Sequence, residues 1–285
     1  MVDELNCSRD HAKPAKRGIR LGVGASGAAA PKRKQRSRVE ALPFPLSFFL
    51  CTTCSAAYSL RISERAPPKN IGHGAHMGDG FLAIWSDISQ ENETDYLHWF
   101  SREHAAERLS VPGFLSVRMF RALYIPERRY FILYCLENAQ VVSSEAYLQR
   151  LNQPTKWSKR IMPLLGNFAR GGGRVAAVKG TGQGGFVSAM WLDAAMTERA
   201  TELADSGIRH DRIARVQVLA TDHQRTSVKT NEKSLREKDR SFDGLLVIEG
   251  LDAAAVRGVV SALALSRKVL ARDTAAYEAV FALVR

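Results

Sequence analysis

One order of secondary structure, β-α-β-β-α-β, occurs twice after residue 80, and this repetition limits the available folds more than any other feature. Patterns of apolar residues predict eight strands, at 81–88, 114–123, 128–137, 168–178, 186–193, 211–221, 243–249 and 274–284. Helices are predicted up to about residue 109 and at 141–152, 194–206 and 252–265. The opening strands of the two copies share the spacings Phe81-x-x-x-Trp85-x-Asp87 and Phe186-x-x-x-x-Trp191-x-Asp193. Such similarity indicates a diverged duplication.

A βαββαβ unit of the ferredoxin-like kind carries both helices on one face of an antiparallel sheet and leaves the other face bare. Two such units on one chain can cover each other's bare faces. We therefore predict an α+β fold of two ferredoxin-like repeats, 78–180 and 186–285, packed sheet to sheet as a closed barrel with the helices outside. The Gly-rich stretch 180–185 is the linker, and 222–242 is expected to be a long, charged and mobile loop.

Residues 1–77 have the composition of a disordered basic extension. Within them, 42–60 resembles the apolar core and cleavage site of a secretory signal, although Pro43 and Pro45 interrupt it. The alternative is that Met77, just before the first strand, is the true start of the protein. Cys51-x-x-Cys54 has no second ligand pair at zinc-finger spacing, so no metal site is predicted there.

The net charge of +12 is concentrated in this extension, which holds 13 Lys or Arg against 5 Asp or Glu, compared with 28 against 24 in the remaining chain. Because the charge outside the extension is nearly balanced, we do not favour a nucleic-acid-binding protein; such binding would depend on the basic extension. The sequence contains no apolar run long enough to cross a bilayer. The cysteines form no paired framework, so we expect a cytoplasmic protein, or an exported one if 42–60 acts as a signal.

The segment Trp99-Phe100-Ser101-Arg102-Glu103-His104, followed by Val111-Pro112-Gly113-Phe114 and Arg118, resembles a pattern of the EthD-like proteins. These are dimeric α+β barrels, and here both halves of the barrel would come from one chain. The resemblance covers Phe81 to about Val178, and the second half lacks a counterpart of the Glu103-His104 pair. It implies the fold. Related barrels include cofactor-free monooxygenases, isomerases, cyclases and haem-binding members, so the reaction is not implied.

His104 is the candidate general base. It lies four residues after Phe100 and seven after Leu97, on the stripe of the first helix that faces the sheet. An imidazole at such a buried edge could take a proton from an enolisable or phenolic substrate. The alternative is a core histidine with a structural role.

The remaining candidate site residues are aromatic, with one arginine. Alternation on the third strand puts Tyr130 and Tyr134 on one side and Phe131, Leu133 and Cys135 on the other. We expect the wholly apolar side to meet the helices, so that both tyrosines point into the barrel. Arg118, on the neighbouring strand, could face the same space and bind an oxyanion. Trp85 and Trp99 are the other predicted ligand contacts.

These residues predict a barrel that binds a small apolar or aromatic molecule, with cofactor-independent proton-transfer or oxygenase-type chemistry at His104. The alternative from another class is a non-catalytic barrel whose pocket its own side chains fill, with a role in assembly or interaction. No cofactor and no metal are predicted. Haem, which needs an axial histidine facing an open pocket, is the cofactor left open, and a homo-oligomer is left open as well.

Overall fold

The computed structural model describes residues 78–123, 130–236, 239–267 and 275–285. The predictions made for the extension 1–77, including the signal-like segment and Cys51-x-x-Cys54, lie outside these residues. None of the described helices is long and apolar enough to span a membrane.

Eight antiparallel strands form one closed barrel. They are β1 (Gly80–Asp87), β2 (Phe114–Ala122), β3 (Tyr130–Leu136), β4 (Gly166–Gly180), β5 (Phe186–Leu192), β6 (Ile213–Thr221), β7 (Gly244–Gly250) and β8 (Ala276–Val284). Around the barrel their order is β1-β3-β2-β8-β5-β7-β6-β4. The first four strands thus lie in the order β4-β1-β3-β2 and the last four in the equivalent order β8-β5-β7-β6. This repetition confirms the predicted fold class, an α+β barrel built from two ferredoxin-like units on one chain.

The two halves are joined by strand pairing at both edges. Strand β2 pairs with β8 from Ser116 opposite Val284 to Ala122 opposite Tyr277, and β4 pairs with β6 from Gly173 opposite Thr221 to Gly180 opposite Arg215. Because each edge strand finds its partner in the other half, no sheet edge is left open between them. The domain boundaries 78–180 and 186–285 stay a prediction.

Helices cover the outside of the barrel. They are α1 (Glu93–Trp99), α2 (Ala105–Leu109), α3 (Glu145–Asn152), α4 (Lys156–Ile161), α5 (Ala194–Glu198), α6 (Ala200–Gly207), α7 (His223–Thr226) and α8 (Ala253–Arg267). Short 3₁₀ turns lie at Ala139–Ser143, Met162–Leu164 and Lys233–Leu235. A π-helical turn, Phe100–His104, connects α1 directly to α2.

Each strand contributes to two cores because successive side chains point to opposite sides. In the first half, Leu82, Ile132 and Tyr134 pack under the helices. Phe81, Trp85 and Phe131 point into the barrel, where they meet Val187, Leu245 and Tyr277 of the second half. The helix side of the second half is a separate apolar core that includes Leu203, Val216, Leu246 and Val260.

The predicted orientation of strand β3 is therefore wrong. Tyr130 and Tyr134 face the helices, and Phe131 and Leu133 face the barrel interior. The physical reason is that the interior is the drier side at this position: Phe131 stacks on Trp85, with ring centroids 4.5 Å apart. The helix side offers polar partners, and the Tyr130 hydroxyl donates a hydrogen bond of 2.6 Å to the Glu93 carboxylate. The expectation that the wholly apolar side of β3 meets the helices was therefore the error.

Candidate functional site

A small cavity lies between the helices and the outer side of the first-half sheet, next to His104. Its volume is about 30 Å³, room for one or two water molecules. We call it the His104 cavity. Its apolar wall includes Leu82, Ile132, Trp99 and Met162, and its polar wall includes His104, Arg108, Tyr134, Tyr147, Arg170 and Glu232.

The π-helical turn positions His104. In a π-helix the backbone N–H of one residue bonds to the carbonyl five positions earlier, and here Ala105 N–H bonds to Phe100 C=O. The widened turn brings Trp99 and His104 together, with ring centroids 4.1 Å apart at an interplanar angle of 34°. The imidazole is buried, as predicted. Single π-turns of this kind occur frequently at functional sites.

The imidazole of His104 is uncharged at neutral pH. Burial lowers its pKa well below the ordinary value of 6.5, and the positive charges of Arg108 and Arg236 lower it further. Its Nδ1 atom has no hydrogen-bond partner, because the nearest carboxylate oxygen, Glu107 Oε2, is 3.8 Å away. A neutral imidazole with a free ring nitrogen can accept a proton.

Tyr134 presents a second buried polar atom without a partner to the same cavity. Its hydroxyl makes no hydrogen bond, and burial raises the pKa of this hydroxyl well above its ordinary value, so it remains protonated. A buried polar group left without a partner costs about 1–3 kcal/mol. His104 and Tyr134, which carry these two unpartnered atoms, line one cavity, which is the arrangement expected where a ligand supplies the missing partners.

A buried ion pair between the two halves closes one wall of the cavity. Arg108 Nη2 donates to the carboxylate of Glu232, and the two side chains are 2% and 7% exposed. Arg108 is a basic residue in the last turn of α2, and its side chain points inward. The backbone N–H of Glu232 also bonds to Leu151 C=O at 2.9 Å. These contacts attach residues 222–236, part of the loop 222–242 that was predicted to be mobile, to the helix side of the first half.

An open, positively charged groove adjoins the His104 cavity. Its volume is about 590 Å³, and Arg170, Lys233 and Arg236 line both spaces. We call it the basic groove; it is also lined by Lys229 and Arg240, and among the residues that the structure describes Asp239 is its one lining carboxylate. Burial, with the charge of Arg170, lowers the pKa of Lys233 to about 8. Three long side chains thus separate the inner cavity from an outer space that attracts anions.

The predicted site residues do not all come together. Trp99, His104 and Tyr134 line the His104 cavity. Tyr130 lies on the same side of the sheet, but its hydroxyl bonds to Glu93 and does not reach the cavity.

Trp85 and Arg118 lie on the opposite side of the sheet. Trp85 belongs to the interior core, and its Nε1–H donates to the Tyr277 hydroxyl at 3.1 Å. The guanidinium of Arg118 lies 4.6 Å from the centroid of Phe120, another interior residue. The side chains of Tyr130 and Tyr134 pack under the helices, on the side of the sheet opposite to Arg118. Tyr134 nevertheless also contributes to the wall of a second cavity that Arg118 lines, and Tyr130 does not.

Several residues of the site could not be found from the sequence. Glu232, Lys233 and Arg236 reach the first-half site from the second half, and no local pattern indicates such a contact. Arg170 had one available signal, a charged residue amid the apolar and glycine residues of a predicted strand. It is buried, and it donates to Thr226 C=O and to the Tyr147 hydroxyl, each at 3.2 Å.

Haem does not fit this site as it stands. The space beside His104 has a volume of about 30 Å³, far too small for a macrocycle. Within the residues that the structure describes there is also no cluster of three or more metal-ligating side chains.

No family model matches the sequence, and no curated protein matches it either. Solved structures with a similar fold include an anthrone oxidase-like protein, with 9% identity and a TM-score of 0.47 over 73% of this chain and 94% of that one. A candidate monooxygenase from Fusobacterium nucleatum has 10% identity and a TM-score of 0.44 over 74% and 96% of the two chains. A candidate monooxygenase from Lactobacillus acidophilus has 8% identity and a TM-score of 0.41 over 72% and 96% of the two chains. Likenesses this distant say nothing about reaction or substrate, and the fold assignment rests on the strand order.

Proposed function

We propose that this protein binds a small, largely apolar or aromatic molecule bearing an acidic or enolisable group, and that His104 removes a proton from it. The observation that carries the proposal is the pair of unpartnered polar atoms, His104 Nδ1 and the Tyr134 hydroxyl, at one buried cavity. The contact between Trp99 and His104 also supports membership of the EthD-like group, since both residues belong to the pattern that resembles it. A cytoplasmic location is part of the same proposal.

The chemistry follows from the charges of the groups around the cavity. Neutral His104 accepts the proton at Nδ1, the bond between that proton and the ligand breaks, and the electron pair stays on the ligand as an enolate or phenolate. Tyr134, which remains protonated, can donate a hydrogen bond to the oxyanion. Arg108 and Arg236 disfavour a positive charge on His104, and the same charges favour a negative one on the ligand. Oxygenase-type chemistry would need dioxygen as a second substrate for that carbanion.

The volume of the cavity restricts how the ligand is bound. Only the reacting group fits the inner space, so the rest of the molecule would extend past Lys233 and Arg236 into the basic groove. To open that passage, Lys233 would have to give up its hydrogen bonds to Thr226 C=O and Val228 C=O, and Arg236 its ion pair with Asp239. A ligand that carries a negative charge on its outer part would bind best.

The experiment is catalysed hydrogen–deuterium exchange of 2-tetralone, an aromatic ketone with acidic protons beside its carbonyl, followed by NMR in D₂O. The wild-type protein should accelerate the exchange, and His104→Gln should remove about 100-fold of the acceleration, the usual contribution of a general base. Tyr134→Phe should reduce it by about 10-fold or more. His210→Gln, which changes an exposed histidine, is the matched control and should have no effect.

The second candidate is a non-catalytic barrel, and the small volume of the His104 cavity is the observation that favours it. It predicts no exchange above background and no thermal shift with 2-tetralone, 1-naphthol or 1-naphthoate. Acceleration that persists in His104→Gln would likewise overturn the proposed role of the histidine.

A further inference from the structure

A larger cavity opens at one end of the barrel interior, on the side of the sheet away from His104. Its volume is about 420 Å³, within the range typical of small-molecule sites. Much of its wall is apolar, formed by Phe81, Leu133, Val175 and Leu219. We call it the barrel cavity. Both halves of the chain contribute to it, so it exists only because the barrel is closed.

Three charged side chains lie together in the wall of this cavity: Glu249 and Arg215, which are buried, and Arg118, whose side chain is 12% exposed. Arg118 pairs with Glu249, and Arg118 Nη2 also donates to Gly184 C=O at 2.6 Å. The Glu249 carboxylate also accepts a hydrogen bond of 3.1 Å from the Gly184 backbone N–H. Glu249 is therefore held by Arg118 and by the linker, with its side chain only 2% exposed.

Arg215 is the second cation at this carboxylate, and it is poorly paired. Its Nη1 lies 3.9 Å from Glu249 Oε1, too far for a hydrogen bond, and its Nε–H has no partner. The side chain is 8% exposed, and burial lowers its pKa, although an arginine remains charged. A buried guanidinium normally has a full set of acceptors. Here two guanidinium groups share one carboxylate.

We propose that the barrel cavity is a binding site for an apolar molecule with an anionic head, such as a medium-chain carboxylate. The carboxylate would accept hydrogen bonds from Arg215, whose planar donors suit a carboxylate, and would balance the second positive charge. The apolar part would lie against Phe81, Leu133 and Val175, with Gln217 beside the head. This site is independent of the proposed chemistry at His104.

Isothermal titration with octanoate tests the proposal, with octan-1-ol as the ligand that lacks the charge. The full-length protein should bind one octanoate, and octan-1-ol should bind at least about 10-fold more weakly, because a charge-assisted hydrogen bond is lost. Arg215→Met should weaken octanoate binding by about 10-fold or more. Arg209→Met, which removes an exposed arginine, should leave it unchanged.

Stability separates a binding role of Arg215 from a structural one. Since Arg215→Met removes an incompletely paired buried charge, the variant should melt at the same temperature as the wild type or higher, while losing octanoate. If the variant does not fold, protection can be read in the wild type at Cys135, a free, partly buried cysteine in the wall of the cavity. Octanoate, but not octan-1-ol, should slow its alkylation by iodoacetamide, measured by mass spectrometry.

Three results would overturn the proposal: no octanoate binding at millimolar concentration, equal affinity for octan-1-ol, or unchanged octanoate affinity in Arg215→Met. His104→Gln should bind octanoate normally. An equal loss of affinity in that variant would place the ligand in the His104 cavity and would equally refute the barrel site.

Discussion

The buried ion pair between Arg108 and Glu232 gives the most direct test of how the second half closes the site of the first. Glu232→Gln keeps the shape of the side chain and removes its charge. The Arg108 side chain is 2% exposed, so its charge would remain buried without its main partner. Breaking a buried pair in this way costs about 3–5 kcal/mol.

The structure puts the expected loss at the lower end of that range, about 3 kcal/mol. A glutamine oxygen can still accept one bond from Arg108, and Glu107 Oε2 lies 3.5 Å from Arg108 Nη1. For a folded unit of this size, such a loss corresponds to a fall in melting temperature of roughly 6–12 °C. Urea unfolding followed by circular dichroism would measure the free energy of unfolding directly.

Two further variants make the measurement specific to burial. Arg121→Gln removes an ion pair with Glu278 whose side chains are 52% and 32% exposed, and it should cost less than about 1 kcal/mol. The double variant Arg108→Met, Glu232→Leu replaces both buried charges by apolar groups and should be more stable than either single variant. If Glu232→Gln costs no more than the exposed pair, the segment 222–236 does not seal the His104 cavity in solution, and the closed site described above is wrong.

Two other predictions concern stability. The pKa of His104 is lower in the folded protein than the 6.5 of an unfolded histidine. Below pH 6.5 the unfolded chain therefore takes up a proton that the native protein does not. The contribution of the neutral imidazole to stability is thus present above pH 6.5 and is lost on acidification. The stability of wild type relative to His104→Gln, from urea unfolding, should fall by about 1.4 kcal/mol between pH 7.5 and 5.5; parallel profiles would show that this imidazole is not buried neutral. Gly173→Ala should cost more than about 2 kcal/mol, because its Cβ would lie 2.1 Å from the carbonyl oxygen of Ala220. Gly258→Ala, at an exposed helical position with open space around it, should instead stabilise the protein by about 0.5–1 kcal/mol. Thermal unfolding measures both glycine variants, and equal effects of the two changes would contradict this reasoning.

The architecture was accessible from the sequence because it depends on periodicity and order. The strands were predicted within a few residues of their observed ends, and the repeated opening pattern at Phe81 and Phe186 indicated two equivalent units. The need to cover two bare sheet faces then led to one closed barrel. These are properties of whole elements, and single errors at their ends do not change them.

The site was less accessible because it depends on the direction of single side chains. Two residues show this. His104 was predicted to be buried from ideal helical spacing, but its contact with Trp99 depends on a π-turn that no spacing rule includes. Tyr134 was assigned to the wrong side of the sheet, because alternation separates the two sides of a strand without saying which one meets the helices.

The two halves differ, and this difference explains why Glu232, Lys233 and Arg236, which complete the site of the first half, lie so far from His104 in the sequence. The second half lacks the Glu-His pair, and its described helix side is lined by apolar residues such as Val216 and Leu246. Its insertion lies between β6 and β7, where the first half has the short connection between β2 and β3. Because β6 pairs with β4, the end of β6 at Thr221 emerges beside Gly173, at the boundary of the first half. An insertion at that point reaches the outer side of the first-half sheet directly, so closure of the barrel itself brings Glu232 and Lys233 to the cavity of His104.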